Sequence, residues 1–107
     1  MTFWLRTDLR ELPTVIRHGF DAEQGDAVGV DVTDQGEPVS LAGSVKANII
    51  LPNGTTIKQN GTKSANRAWI TLPDEVFATE GHVSVFLKIL NGNETATLGG
   101  VVVTVRR

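Results

Sequence analysis

Hydrophobic and polar residues alternate over much of the chain after residue 13, and this period of two is typical of half-buried β-strands. In the clearest example, a large aliphatic side chain occupies every second position: Val83, Val85, Leu87 and Ile89. The pattern predicts strands over residues 14–20, 28–33, 44–51, 55–59, 67–72, 82–90 and 95–105. A sheet made of such strands buries one face and leaves the other in water.

Turn residues separate these strands. Asn53-Gly54 predicts a type I′ hairpin turn, because this dipeptide readily takes positive φ angles, and Asn60-Gly61 and Asn91-Gly92 predict two further turns. Pro73 predicts the start of a single helical turn that ends at Gly81. The order of strands and turns predicts an all-β fold: an antiparallel β-sandwich (Ig-like or jelly-roll-like) of about seven strands with one short helical turn.

The last strand contains Gly99-Gly100, which predicts a β-bulge or a close backbone approach. Simple alternation places the strand's hydrophobic residues on two faces, with Val101, Val103 and Val105 on one and Leu98, Val102 and Thr104 on the other.

The first thirteen residues differ from the rest, and we assign residues 1–13 to an N-terminal arm for docking and residues 14–107 to the β-sandwich domain. Leu5, Leu9 and Leu12 have helical spacing that Pro13 would end, and an extended arm is the alternative. Large apolar side chains are rarely left in water by a small monomer. We expect the arm to dock on a neighbouring subunit or partner; packing on its own domain and disorder are the alternatives.

Trp69 lies on the strand face opposite Ala68, Ile70 and Leu72, so it belongs either to an interface or to a second buried layer. Together with the apolar residues of the arm, it completes the predicted protein interface: Phe3, Trp4, Leu5, Leu9, Leu12 and Trp69.

Composition excludes several classes of function. A length of 107 residues fits one domain, and a net charge of -2 without any basic run argues against nucleic acid as a partner. The absence of cysteine excludes a thiol nucleophile and a cysteine zinc site. No apolar run is long enough for a signal peptide or a membrane span, so we expect no membrane partner and synthesis in the cytoplasm.

No motif predicts catalytic, cofactor-binding or metal-binding residues. His18 and His82 lack a nucleophile or ligand partners at a recognisable spacing, so both are expected to be structural or exposed. Asp26, Asp31 and Asp34 lie in an acidic passage but do not form a calcium loop. The carboxylates of a second acidic group fit charges near a helix end better than a catalytic pair: Asp74, Glu75 and Glu80. The three Asn-x-Thr sites fit turns better than glycosylation: Asn53, Asn60 and Asn93.

Four sequence segments, taken in order, resemble the N-terminal β-sandwich domain of phage baseplate upper proteins and related tail and head-fibre virion proteins. They are a polar turn followed by P-V-S-L-A-G, the hairpin L-P-N-G-T, the segment I-T-L-P-D-E-V-F-A-T-E-G and the strand V-S-V-F-L-K-I (residues 31–43, 51–55, 70–81 and 83–89). The resemblance covers roughly residues 26–105.

The resemblance implies a non-enzymatic bacteriophage structural protein of the virion that oligomerises and attaches by its N-terminal part to other virion proteins of the capsid, neck or tail. Because no fibre or receptor-binding segment follows residue 107, a small decoration or fibre-base protein is expected rather than a full adaptor. The alternative is a module that binds a carbohydrate or host-surface glycan through Trp69 and the turns at Asn53, Asn60 and Asn93.

Overall fold

A computed structural model describes residues 2–8, 15–16 and 21–106, and these residues form two packed β-sheets, which confirms the predicted all-β sandwich. The first sheet contains β1 (Thr2–Asp8), β4 (Ala27–Asp34), β5 (Glu37–Pro38), β8 (Thr62–Ser64) and β9 (Arg67–Thr71). The second sheet contains β2 (Val15–Ile16), β3 (Asp21–Ala22), β6 (Ser44–Ile50), β7 (Thr56–Asn60), β10 (Gly81–Asn91) and β11 (Glu94–Val105).

Both sheets are mixed, whereas the sequence pattern predicted antiparallel ones. The first sheet has the order β1-β4-β9-β8, and β1 runs parallel to β4. In the second sheet, of order β2-β11-β10-β6-β7, the short strands β2 and β3 run parallel to β11. Parallel neighbours need a long crossover between them, and here β2 and β3 of the opposite sheet lie in the chain between β1 and β4.

The N-terminal segment Thr2–Asp8 is extended and forms part of the first sheet. Residues 1–13 are predicted to be an N-terminal arm for docking, with packing on the same domain as an alternative; the predicted boundary after residue 13 lies outside the described residues. β2 lies within the strand predicted over residues 14–20, whereas three strands of two or three residues (β3, β5 and β8) were too short to show as separate alternating segments. These three and β1 raise the number of described strands above the predicted seven.

Aliphatic side chains fill the space between the sheets. Alternate residues of the long strands point inward, and those of β10 follow the predicted pattern, with Val83, Val85 and Leu87 almost completely buried. Burying a side chain of this size stabilises the fold by about 1.5–3 kcal/mol. The same inward alternation occurs in β4, β6 and β9, where it buries Val28, Val30, Val32, Val45, Ala47, Ile49, Ala68 and Ile70.

The type I′ geometry predicted for Asn53-Gly54 occurs instead between β4 and β5, where Gln35 and Gly36 have φ angles of 53° and 83°. In the β6–β7 hairpin only Gly54 has a positive φ. Asn53 instead accepts a hydrogen bond on its side-chain oxygen from the Thr55 N–H at 2.9 Å, an Asx turn that favours a three-residue loop.

The predicted irregularity in β11 is present. The pairing of β10 with β11 shifts between Leu87 and Lys88, where Leu87 pairs with Gly99 and Lys88 with Thr97. Leu98 is therefore the extra residue between these two pairs, and it is buried at 2% exposure. Leu98 lies with the buried residues of β11, so its predicted place on the face opposite Val101 was wrong, because the bulge reverses the alternation at that point.

A 3-10 helix over Asp74–Ala78 connects the two sheets, and Val76 from this helix closes one end of the core. Thr79 is extended and ends the helix, so Gly81, whose φ is 138°, begins β10 rather than stopping the turn as predicted. At five residues this helix is too short to span a bilayer, and no other described segment is a membrane-spanning helix.

A tryptophan pair on the outer face of the first sheet

Two tryptophans that are far apart in the chain meet on the outer face of the first sheet. Trp4 on β1 lies opposite Gly29 on β4, and Gly29 lies opposite Trp69 on β9. The two rings form an edge-to-face pair with centroids 6.1 Å apart and planes inclined by 71°. Such pairs stabilise by about 0.5–1.5 kcal/mol beyond the burial of their surface.

Gly29 makes this arrangement possible because it has no side chain. A Cβ atom at this position would lie 2.4 Å from Cζ3 of Trp4, so any other residue would displace the indole. The ring thus occupies the space above the middle strand, and Trp4 nevertheless keeps 39% of its surface exposed.

The next row across the sheet contains Arg6, Asp31 and Arg67. Arg67 Nε lies 2.8 Å from Oδ1 of Asp31, and its guanidinium carbon lies 5.0 Å from the centroid of a Trp4 ring. Asp31 Oδ1 is shielded from water, and the described residues give it no well-aligned hydrogen bond, so the ion pair with Arg67 compensates its charge. Arg6 is exposed and has no charged partner among the described residues.

Two grooves meet at Arg67. One, of about 270 Å³, lies beside the tryptophans and is lined by Thr2 and Ser64 as well. The other, of about 520 Å³, is lined mainly by polar residues, which include Arg6, Asp31 and Asn66. This outer face therefore combines exposed aromatic surface with arginine side chains.

Asp8 fastens the end of β1 to the turn between β4 and β5. Its carboxylate accepts hydrogen bonds from the Thr33 hydroxyl at 3.0 Å and from the backbone N–H groups of Gln35 and Gly36 at 3.2 and 3.0 Å. Because the positive φ angles of the turn direct both N–H groups toward the carboxylate, the contact helps to fix the register of β1 on β4.

The structure separates the predicted interface residues into three groups. Trp4 and Trp69 come together on the outer face, Phe3 is half-buried against the core, and Leu5 is in the core at 4% exposure. Leu9 and Leu12 lie outside the described residues. Leu5 could contact a partner only if β1 left the sheet, so the interface prediction now depends mainly on Trp4 and Trp69.

Sequence reasoning missed the contribution of Gly29, Asp31 and Arg67 to this face. Gly29 interrupts a run of valines in a predicted strand, and a glycine in such a position often marks a close approach of another group. That signal was present in the sequence. Nothing in the local sequence, however, indicated which side chain would occupy the space.

The other candidate residues that the structure describes do not come together in one site. His82 is exposed and lies 3.3 Å from the Thr104 hydroxyl, and His18 is outside the described residues. In the described part of the chain, no three His, Cys, Asp or Glu side chains form a group that could hold a metal ion.

Two of the candidate acidic residues, Asp26 and Asp74, have hydrogen-bond partners. Asp26 is buried, and its carboxylate accepts a hydrogen bond from the Glu23 N–H at 3.0 Å. This backbone contact lowers the pKa of Asp26, although burial acts in the opposite direction. Asp74 accepts a hydrogen bond from the Gln24 side chain at 3.3 Å.

The elements of the predicted glycan site do not converge. Asn53 lies in the β6–β7 hairpin and Asn93 in the β10–β11 hairpin, and the register of β6 on β10 places these hairpins at opposite ends of the second sheet. Trp69 belongs to the first sheet. A glycan could therefore not contact all of these residues at once.

The chain is similar in fold to a solved structure, the N-terminal domain of phage TP901-1 ORF48. The two superpose with a TM-score of 0.60 at 11% sequence identity, and the match covers 100% of both chains. No protein-family model matches the sequence, and no curated protein matches it. At this identity the comparison establishes a shared fold.

Proposed function

We propose that this chain is a non-enzymatic structural protein of a bacteriophage virion: a small capsid, neck or tail decoration or fibre-base protein that attaches to other virion proteins and oligomerises. The observation that carries the proposal is the correspondence of its fold, over its whole length, with a domain of a phage protein. The sequence segments that resemble baseplate upper proteins, taken in order, support the same conclusion independently of the fold comparison.

The attachment surface that we propose is the outer aromatic face, defined as Trp4, Arg6, Arg67 and Trp69. Tryptophan and arginine are the residues most enriched among those that dominate binding energy at protein interfaces. Among the described residues, Trp4 and Ile50 are the large hydrophobic side chains with substantial exposure, at 39% and 37%. Only Trp4 has aromatic and arginine neighbours, so it is the better anchor.

Binding to particles tests this surface. The purified protein would be added to particles of its phage that lack it, and the bound fraction measured by co-sedimentation over a concentration series. Trp4→Ala should weaken binding by about 30-fold, the effect of losing an anchor of about 2 kcal/mol. Ile50→Ala removes a hydrophobic side chain of matched exposure from the second sheet and should leave binding unchanged.

Point variants are needed because deleting the N-terminal residues would also remove Leu5 from the core. Circular dichroism would establish that each variant is folded. The attachment surface is refuted if folded Trp4→Ala protein binds particles as tightly as the parent. Absence of the parent protein from purified particles, checked by mass spectrometry, would refute the virion assignment itself.

A second candidate function is binding of a host-surface glycan. The observation that favours it is the larger groove at Arg67, in which Arg6, Asp31 and Asn66 present charged and amide groups of the kind that bind sugar hydroxyls. A glycan array should then show specific binding that Arg67→Ala abolishes. If no glycan on the array binds while particle binding is intact, glycan binding is refuted and the structural role is the function that stands.

A further inference from the structure

We propose that β1 pairs antiparallel with β1 of a second copy about a two-fold axis centred on Leu5, which joins the first sheets of two copies into one continuous sheet. The inference deepens the proposed function, because it assigns the oligomer contact to named residues. The dimer rests on the proposed function only for its role in a virion; the pairing of the strands is argued from the structure.

Among the strands that the structure describes, β1 lies at the edge of the first sheet. It is a strand of seven residues paired with β4 on one side, and none of the strands that the structure describes pairs with its other side. The outer edge of such a strand is a template for a further strand. A second copy is the natural occupant, since closed two-fold pairing uses the same edge in both partners and leaves no edge for further growth.

Symmetry limits the register. A two-fold axis perpendicular to the sheet keeps the outer faces of the two copies on the same side of the joined sheet. Each outward-pointing residue of one β1 must therefore lie opposite an outward-pointing residue of the other β1. Trp4 and Arg6 point outward from β1 and Leu5 points into the core. Axes centred on Trp4, Leu5 or Arg6 are therefore the three registers to compare.

The register centred on Leu5 is the most complementary. It pairs the whole of Thr2–Asp8, whereas an axis at Trp4 pairs residues 2–6 only and an axis at Arg6 pairs residues 4–8 only. An axis at Arg6 also places two arginines directly opposite each other, which is unfavourable. Centring on Leu5 instead places each Trp4 opposite Arg6 of the other copy.

That pairing brings together two side chains with surface available for contact in the single copy, Arg6 and Trp4. Arg6 has no charged partner among the described residues, and Trp4 keeps 39% of its surface exposed. Within one copy, Trp4 already contacts a guanidinium group from Arg67. In the dimer, Arg6 of the second copy supplies another, so that cation–π contacts form twice across the axis.

Cysteine cross-linking tests the register directly, because the chain has no cysteine of its own. Trp4→Cys and Arg6→Cys would be purified separately, and both substitutions lie on the outer face, away from the core. Residues directly opposite on antiparallel strands have Cβ atoms about 4.5–5.5 Å apart, within reach of a disulfide after small shifts or of a short bismaleimide. A mixture of the two proteins should cross-link to a dimer, and each protein alone should not.

The mixed dimer keeps one Trp4–Arg6 contact, so the test does not remove the interaction that it probes. Light scattering on the parent protein, without cysteines, should give the mass of a dimer, and Arg6→Glu should raise the dissociation constant at least tenfold. Circular dichroism would confirm that the variants are folded.

The alternatives give different results. Cross-linking of Trp4→Cys alone indicates the axis at Trp4, cross-linking of Arg6→Cys alone indicates the axis at Arg6, and either overturns the proposal. A monomeric parent mass with no cross-linking in the mixture also overturns it. Neither result touches the virion assignment, which depends on the presence of the protein in particles.

Discussion

An aromatic ring lies over a glycine on the outer face of each sheet, but the two rings have different neighbours. In the first sheet Trp4 covers Gly29, and in the second sheet Phe86 covers its cross-strand partner Gly100, where a Cβ would lie 2.7 Å from the Phe86 ring. An aromatic side chain on a neighbouring strand compensates for the surface that a strand glycine leaves unpacked. In both sheets, therefore, an aromatic ring packs over a strand glycine and covers backbone that would otherwise be unpacked.

The difference lies in what remains available to a partner. Phe86 is half-buried, and its cross-strand neighbour on the other side is the polar Asn48. Trp4 is more exposed and has Trp69 and Arg67 beside it. The comparison indicates that the ring of the second sheet serves the fold, whereas that of the first sheet serves both the fold and binding.

The largest expected effects are in the core, where the two sheets should be equivalent. Leu5→Ala on β1 and Leu98→Ala at the bulge of β11 each remove a buried leucine, with 4% and 2% exposure in the parent. Each should lower the free energy of unfolding by about 2–5 kcal/mol through lost burial and the cavity left behind. Urea denaturation followed by circular dichroism measures both.

A much smaller loss for Leu5→Ala than for Leu98→Ala would mean that β1 contributes little to the core. β1 would then be a loosely attached strand, closer to the docking arm that the sequence analysis predicted. Ile50→Ala, at an exposed position, is the control and should change stability by less than about 0.5 kcal/mol.

The next prediction separates the two glycines. Alanine at either position would meet the covering ring, and overpacking of this kind costs about 1–3 kcal/mol where the ring cannot move. Gly100→Ala should approach this cost because Phe86 is half-buried, with the Val85 carbonyl oxygen also 3.4 Å from the new Cβ. Gly29→Ala should cost less, because Trp4 lies at the surface and can rotate outward.

Tryptophan fluorescence distinguishes the two variants independently of stability. Gly29→Ala should change the emission, since Trp4 would separate from Trp69, while Gly100→Ala should leave it unchanged. If Gly29→Ala had parent-like emission and the larger loss of stability, Trp4 would be fixed by the fold rather than available for binding.

This comparison also shows what the sequence could reveal. Alternation in β10 predicted its buried face, and Gly99-Gly100 predicted the irregularity of β11, because both signals are local. The parallel pairing of β1 with β4 and the meeting of Trp4 with Trp69 could not be predicted, since they depend on which strands become neighbours. Leu98 was assigned to the wrong face because a bulge shifts the period by one residue, and its position within the strand was unknown.

The smallest expected effects concern one ion pair on each sheet. Asp31 and Arg67 belong to the first sheet, and the Asp31 side chain is 22% exposed. Asp21 and Arg106 belong to the edge of the second sheet, where Arg106 Nε lies 3.1 Å from Asp21 Oδ1. The Asp21 side chain is 62% exposed and the Arg106 side chain is 71% exposed. Water and salt screen the second pair far more effectively than the first.

Asp31→Asn should therefore lower the free energy of unfolding by about 1 kcal/mol, whereas the matched change Asp21→Asn should stay within about 0.5 kcal/mol of the parent. The urea midpoints of the parent and both variants, measured at low salt and at about 1 M NaCl, test this difference. At both salt concentrations, Asp21→Asn should change the midpoint less than Asp31→Asn does. Asp31 also orients Arg67 against Trp4, so Asp31→Asn should weaken particle binding while Asp21→Asn leaves it intact. Equal effects of the two substitutions on binding would show that Arg67 needs no carboxylate to hold it in place, and the outer aromatic face would then depend on its tryptophans alone.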